Sequence, residues 1–224
     1  MTCCGAPRCG TRTSSRWCAA SGGSATRSST SRSTGPPTRS PPAGGEGDRL
    51  ALLSRNCWEY AVLTFATAKL GVVLVPVNFM LGPSEIAFIL GHSGATGIVA
   101  QDGFTETAER ALAEAGPAAG VRGRIGGAAD GWEDVADWWT AGPEHEPEVA
   151  VADDDPLRLM YTSGTESRPK GVMLPSRSLI AQYVSCVIDG GMSVDDVEVH
   201  SLPMYHCAQL DCFFSVDVYL GAPA

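Results

Sequence analysis

The sequence predicts an α/β fold, a largely parallel sheet with flanking helices, preceded by a disordered leader. Short β-branched runs alternate with stretches of helical periodicity from Asp48 onward. Glycine or proline stands near most of the boundaries between them. Residues 1–45, by contrast, contain no Ile, Leu, Val, Phe or Tyr.

The leader is chemically unlike the rest. It carries six Arg and no acidic residue, and 39 of its 45 positions are Ser, Thr, Gly, Pro, Arg or Ala. Such a segment cannot bury enough apolar surface to offset its chain entropy. Three readings stay open: a transit peptide lacking the usual apolar face, a basic arm without Lys, and a GC-rich region translated out of frame. The third accounts best for the abrupt change near Gly47, so residues 1–46 are expected to be leader and residues 47–224 a partial globular domain.

Leu50–Leu53 reads as a buried strand. Residues 58, 61, 62, 65, 66 and 70 then place apolar side chains on one helical face, with Asn56 as the expected cap and Gly71 as the stop. Val72–Val77 is a second strand, Pro83–Leu90 a short helix, Thr96–Ala100 a third strand, Thr105–Ala115 a helix ending at Gly116–Pro117, and Val121–Ile125 a fourth strand. Residues 130–155 hold ten acidic residues with three Trp, which reads as a solvated connector with one short helix around Trp132–Trp139. Leu157–Tyr161 is apolar and extended, Val172–Leu174 is a further strand, and Cys212–Leu220 is helical.

Several function classes are disfavoured. The net charge of −9 leaves ten basic and 25 acidic groups in residues 46–224, the wrong balance for neutralising nucleic-acid phosphates. No run approaches the roughly 18 apolar residues of a membrane span, and no charged start leads into a signal core. A cytoplasmic protein is expected. The eight cysteines form no paired CxxC units, and His200, His206, Cys207 and Cys212 fit no zinc spacing, so those downstream cysteines read as ordinary core.

The most informative stretch is Tyr161-Thr162-Ser163-Gly164-Thr165-Glu166-Ser167-Arg168-Pro169-Lys170-Gly171-Val172. Hydroxyls around a glycine, with a lysine six positions on, suit a polyphosphate: backbone N–H groups approach where side chains are small, and Lys170 adds a point charge. It is not a Walker loop, because Pro169 precedes the lysine and Gly171 follows it. On residue types alone, a polar hairpin loop is an equal reading.

The order of those residues resembles the phosphate-binding signature Thr-Ser-Gly-Thr-Thr-Gly-x-Pro-Lys-Gly of the adenylate-forming (AMP-binding) superfamily. Glu166 and Ser167 are the two departures. The resemblance extends through Gly47–Asn56, Lys69-Leu70-Gly71, Val75-Pro76-Val77-Asn78 and residues 81–100. Downstream, Leu202-Pro203-Met204-Tyr205-His206 resembles the family's acyl-pocket segment. After the loop, Pro175-Ser176-Arg177 stands where the family often has Ser-His-Arg/Lys, so no role is carried there. Within the superfamily the nearest look is of a bacterial fatty-acyl-CoA synthetase.

The resemblance implies a two-step ligation. A carboxylate, here a fatty acid, attacks the α-phosphate of ATP, and coenzyme A then displaces AMP, with Mg²⁺ screening the phosphates. It implies that Thr162, Ser163, Gly164, Thr165, Glu166, Ser167 and Lys170 hold the β/γ-phosphates and that Thr165 touches the metal. His206 would sit between acyl pocket and nucleotide, and Lys170 and His206 would be the catalytic pair. Family members are more than twice this length, so an incomplete N-terminal part of such an enzyme is expected. A non-catalytic fragment or interaction module with residual phosphate binding is the competing reading. A carrier protein in place of coenzyme A also remains open as acceptor.

Overall fold

Seven strands and six α-helices occur in the computed structural model, which describes residues 47–116, 120–140, 149–162 and 168–223. The expected leader, residues 1–46, lies outside these, as do residues 163–167 of the phosphate-like loop. The strands are β1 (Arg49–Leu53), β2 (Val73–Pro76), β3 (Gly97–Gln101), β4 (Val121–Ile125), β5 (Glu133–Asp134), β6 (Pro156–Thr162) and β7 (Lys170–Pro175). They form one sheet in the order β5-β4-β3-β1-β2-β6-β7, parallel throughout except for β7, which returns antiparallel on β6.

Helix α1 (Trp58–Lys69) joins β1 to β2, α2 (Pro83–Ser93) joins β2 to β3, and α3 (Thr105–Ala115) joins β3 to β4. Helices α4 (Val135–Thr140), α5 (Ser176–Gly190) and α6 (Ser215–Leu220) follow, the last continuing a π-helical turn at Ala208–Phe214. The start of α2 shows why these residues fold locally. Pro83 occupies the first turn, where its missing N–H is not needed, and the Glu85 carboxylate accepts the Gly82 N–H at 2.8 Å.

β1 shows the period-two logic of a sheet covered on both faces. Ala51 and Leu53 enter one apolar cluster with Val75, Ile86, Ile89 and Ile98. Leu50 and Leu52 enter the other with Tyr60, Leu63, Leu74, Val99 and Phe214. Both faces are dry, so the strand reads as a continuous apolar run.

Three expectations need correction. The residue preceding α1 in the cap position is Cys57, with no side-chain cap bond, because the Asn56 carboxamide is engaged elsewhere. The acidic connector is more structured than its charge suggests. Trp132 and Trp138 are buried, and α4 begins at Val135 because Trp132 belongs to a bridge with Ala129. A Cβ at Gly123 would lie 2.5 Å from the Trp138 ring, so glycine on β4 is what admits that indole. Of the cysteines expected in the core, Cys207 is exposed and Cys212 half-buried, whereas Cys57 and Cys186 are half-buried and pack against the apolar clusters.

Helix α5, with 15 residues, has no counterpart among the elements expected from the sequence. Leu179 and Tyr183 bury one side of it against Val216 of α6.

Candidate functional site

The phosphate-like segment is a hairpin. Its two strands meet in the register Met160↔Val172, Tyr161↔Gly171 and Thr162↔Lys170, which puts Thr162 and Lys170 side by side at the loop end. Both are exposed, as a group awaiting a solvated polyanion must be. Gly171 sits close under its neighbours, since a Cβ there would lie 3.0 Å from Leu159 and 3.3 Å from the Tyr161 ring and both would have to give way slightly. The hairpin and phosphate readings are therefore compatible. The antiparallel return brings Lys170 back beside Thr162, flanking residues 163–167.

His206 sits at the head of the π-helical turn. Its Nδ1 accepts the Ala208 N–H at 3.1 Å, which places the proton of the neutral ring on Nε2. The ring is exposed and so presents an N–H donor. Among the described residues no hydrogen bond joins His206 to Thr162 or Lys170, so the structure pairs two of the expected site residues and leaves the third on a separate element.

What holds that element is Asn56. Its amide donates to the carbonyls of His200 (3.1 Å) and Leu202 (2.7 Å), and its carbonyl accepts the Met204 N–H at 2.8 Å. One carboxamide thus ties the end of β1 to the segment bearing His206. Tyr205 packs edge-on against Phe79 at 5.2 Å, and the Arg55 guanidinium stands over both Phe79 and Phe104. An Asn just after a strand signals a cap or turn as readily as a tether, so only the fold reveals this role.

Two polar groupings, one buried and one half-buried, were also not expected. Arg158 on β6 is ion-paired with Asp211 of the π-helical turn and donates to Ser215 at 3.3 Å. Burial pulls the Arg158 pKa down. Nearby in charge, the buried Tyr60 hydroxyl is pushed well above its ordinary range by desolvation, against a smaller opposing pull from Arg158.

The second grouping is Glu198, His200 and Asp217, whose ligand atoms lie within 4.8 Å of one another. Hydrogen-bond directions argue against a metal centre. Gln209 Oε1 accepts the Leu202 N–H at 2.9 Å, which turns its Nε2 toward His200 Nδ1 at 2.7 Å. Nδ1 therefore accepts, and the imidazole proton resides on Nε2, 3.2 Å from the Asp217 carboxylate. A metal-binding histidine instead donates from its second nitrogen. Burial, reinforced by Glu198 and Asp196, pushes Asp217 up to about 7, while burial lowers His200.

The mostly parallel seven-stranded sheet with flanking helices matches the N-terminal domain of adenylate-forming enzymes, and the sequence match agrees. The chain belongs to the family of AMP-binding enzymes, matched over residues 44–223. It is 34% identical over 165 residues to a long-chain-fatty-acid–CoA ligase of Mycobacterium tuberculosis, covering 74% of this chain and 32% of that protein. A feruloyl-CoA synthase of Amycolatopsis sp. is 34% identical over 164 residues, covering 73% and 30%. Among solved structures, ATP-bound MatB from Rhodopseudomonas palustris superposes with a TM-score of 0.69 at 27% identity, covering 80% of this chain and 35% of that one. The chain thus spans about a third of the length of these curated relatives. Among the described residues no helix is long and apolar enough to cross a membrane.

Proposed function

We propose that this chain is the N-terminal, phosphate-binding part of an acyl-CoA synthetase. The protein to which it corresponds would join a carboxylate to coenzyme A through an acyl-adenylate. The observation that carries the reading is the pairing of Thr162 with Lys170 at the loop end of the β6–β7 hairpin. In this reading Thr162, Ser163, Gly164, Thr165, Glu166, Ser167 and Lys170 surround the β/γ-phosphates. Lys170 offsets negative charge that grows on pyrophosphate as it leaves. Thr165 is the proposed Mg²⁺ contact and lies outside the described residues. Bound Mg²⁺ would supply additional charge stabilisation to the same oxygens.

His206, as an Nε2–H donor, is proposed to steady the oxygens of the carboxylate as it meets the α-phosphate. Its Nδ1 is committed to the backbone, so it acts as a donor and not as a base. A fatty acid is the proposed carboxylate and coenzyme A the proposed acceptor. The first relative supports this choice, while the second, a feruloyl-CoA synthase, shows that aromatic acids are handled by similar chains.

A second reading, an interaction module with residual phosphate binding, draws support from exposed apolar side chains. Met173 on edge strand β7 and Ile180, Val184 and Ile188 along α5 all face solvent. Detectable ATP–pyrophosphate exchange dependent on added carboxylate excludes the module, and ATP binding unchanged in Lys170→Ala counts against the hairpin assignment in either reading.

A further inference from the structure

The loop end of the hairpin is fastened to helix α2 from both of its strands. On the outgoing strand, the Tyr161 hydroxyl lies 2.8 Å from His92 Nδ1, and the two rings meet edge to face at 5.8 Å. On the return side, just before Lys170, the Arg168 guanidinium stands 5.8 Å over the Phe88 ring. Phe88 and His92 are four residues apart on α2 and stack on each other at 5.3 Å with an interplanar angle of 25°. A continuous array thus runs Tyr161, His92, Phe88, Arg168. It begins at the residue before Thr162 and ends two residues before Lys170.

Gly171 completes the arrangement. With no Cβ it leaves room for the Tyr161 ring, whose Cζ would be 3.3 Å from one, so the phenol can lie across the hairpin and still reach α2. The rings of Tyr161 and Phe88 also pack against the apolar cluster beneath them, whereas the Tyr161 hydroxyl–His92 contact and the Arg168 guanidinium lie toward solvent.

We propose that Tyr161, His92, Phe88 and Arg168 form a clamp that positions Thr162 and Lys170 against α2, so that the hairpin meets phosphate pre-arranged. None of the four is itself assigned to touch phosphate. They are positioning residues, and the inference rests on the phosphate-binding reading of the hairpin. Its physical content is preorganisation: holding the donors in place beforehand spares the ligand the entropy of ordering them.

The test uses the 224-residue chain and its Tyr161→Phe, His92→Leu, double and Lys170→Ala variants. ATP affinity is read by calorimetry, and backbone amide exchange is read across residues 156–175. Tyr161→Phe removes one hydroxyl and should weaken ATP by up to about fivefold, because losing the contact lowers the fraction of hairpins already in the binding arrangement. His92→Leu should do the same, and the double variant should be no worse than either single one. Amides at Thr162 and Lys170 should exchange faster in Tyr161→Phe while those of Leu159 and Met160 stay unchanged.

The outcomes separate the clamp from the reading beneath it. If Lys170→Ala loses ATP but Tyr161→Phe binds it like the parent chain, the hairpin still binds phosphate and the clamp is wrong. If Lys170→Ala binds ATP as well as the parent, or the parent binds none, the phosphate reading fails. The clamp then stands or falls on the exchange pattern, and unchanged exchange at Thr162 and Lys170 in Tyr161→Phe overturns it.

Discussion

Asp217 shows how much a single side chain can decide. Its carboxyl is buried beside His200 and repelled by Glu198 and Asp196, which together raise it from 3.8 to about 7. Between those values the folded chain keeps a proton that the unfolded chain has released. Stability contributed by this group is therefore complete below 3.8 and is lost as pH rises toward 7. His200, lowered by burial, works in the opposite sense, since the folded chain gives up its proton first. Asp217→Asn should remove the Asp217 component, so the parent chain should lose stability relative to the variant between about pH 5 and about pH 8. Urea midpoints at the two pH values provide the measurement, and parallel profiles would remove Asp217 from the account. None of this was legible in the sequence, because Glu198, His200 and Asp217 meet only after the π-helical turn folds back. The Thr162–Lys170 pairing, by contrast, follows from chain geometry, since a short loop between two antiparallel strands forces its ends together.

At the scale of elements, strands β1 to β4 and helices α1 to α3 were legible because each has one clear period and a glycine or proline near its end. Helix α5 escaped because the same stretch begins with polar Ser176, Arg177 and Ser178, and its Ile, Val and Cys residues mimic a strand. A signal was present: Leu179, Tyr183, Cys186 and Val187 fall at helical spacing, and Gly190-Gly191 supplies the stop, with Gly191 at φ 70°. The tie between β6 and the π-helical turn could not be read at all, since Arg158 sat in an apolar run and Asp211 in a helix far along the chain. That buried ion pair makes a definite prediction. Arg158→Met alone should cost about 3–5 kcal/mol by stranding a buried carboxylate, while Arg158→Met with Asp211→Leu should recover most of the loss. Denaturant unfolding of the two variants measures this, and equal losses would show that the pair does not act as a unit.

For the whole molecule, one sheet with two dry faces carries a hairpin at one edge, and at that edge the proposed phosphate site and exposed apolar surface coincide. Met173 is 68% exposed and Ile188 72% exposed, values that predict self-association of this chain. Met173→Lys with Ile188→Lys should lower the mass seen by static light scattering at high concentration, and an unchanged mass would place the association elsewhere. The same hairpin carries the central claim, that these residues bind the phosphates of ATP. Calorimetric titration of ATP into the 224-residue chain and its Lys170→Ala variant tests that claim most directly. Measurable binding that weakens about tenfold or more on losing the charge-assisted contact is the expected result. Equal affinity in the two chains, or none in the parent, would contradict it.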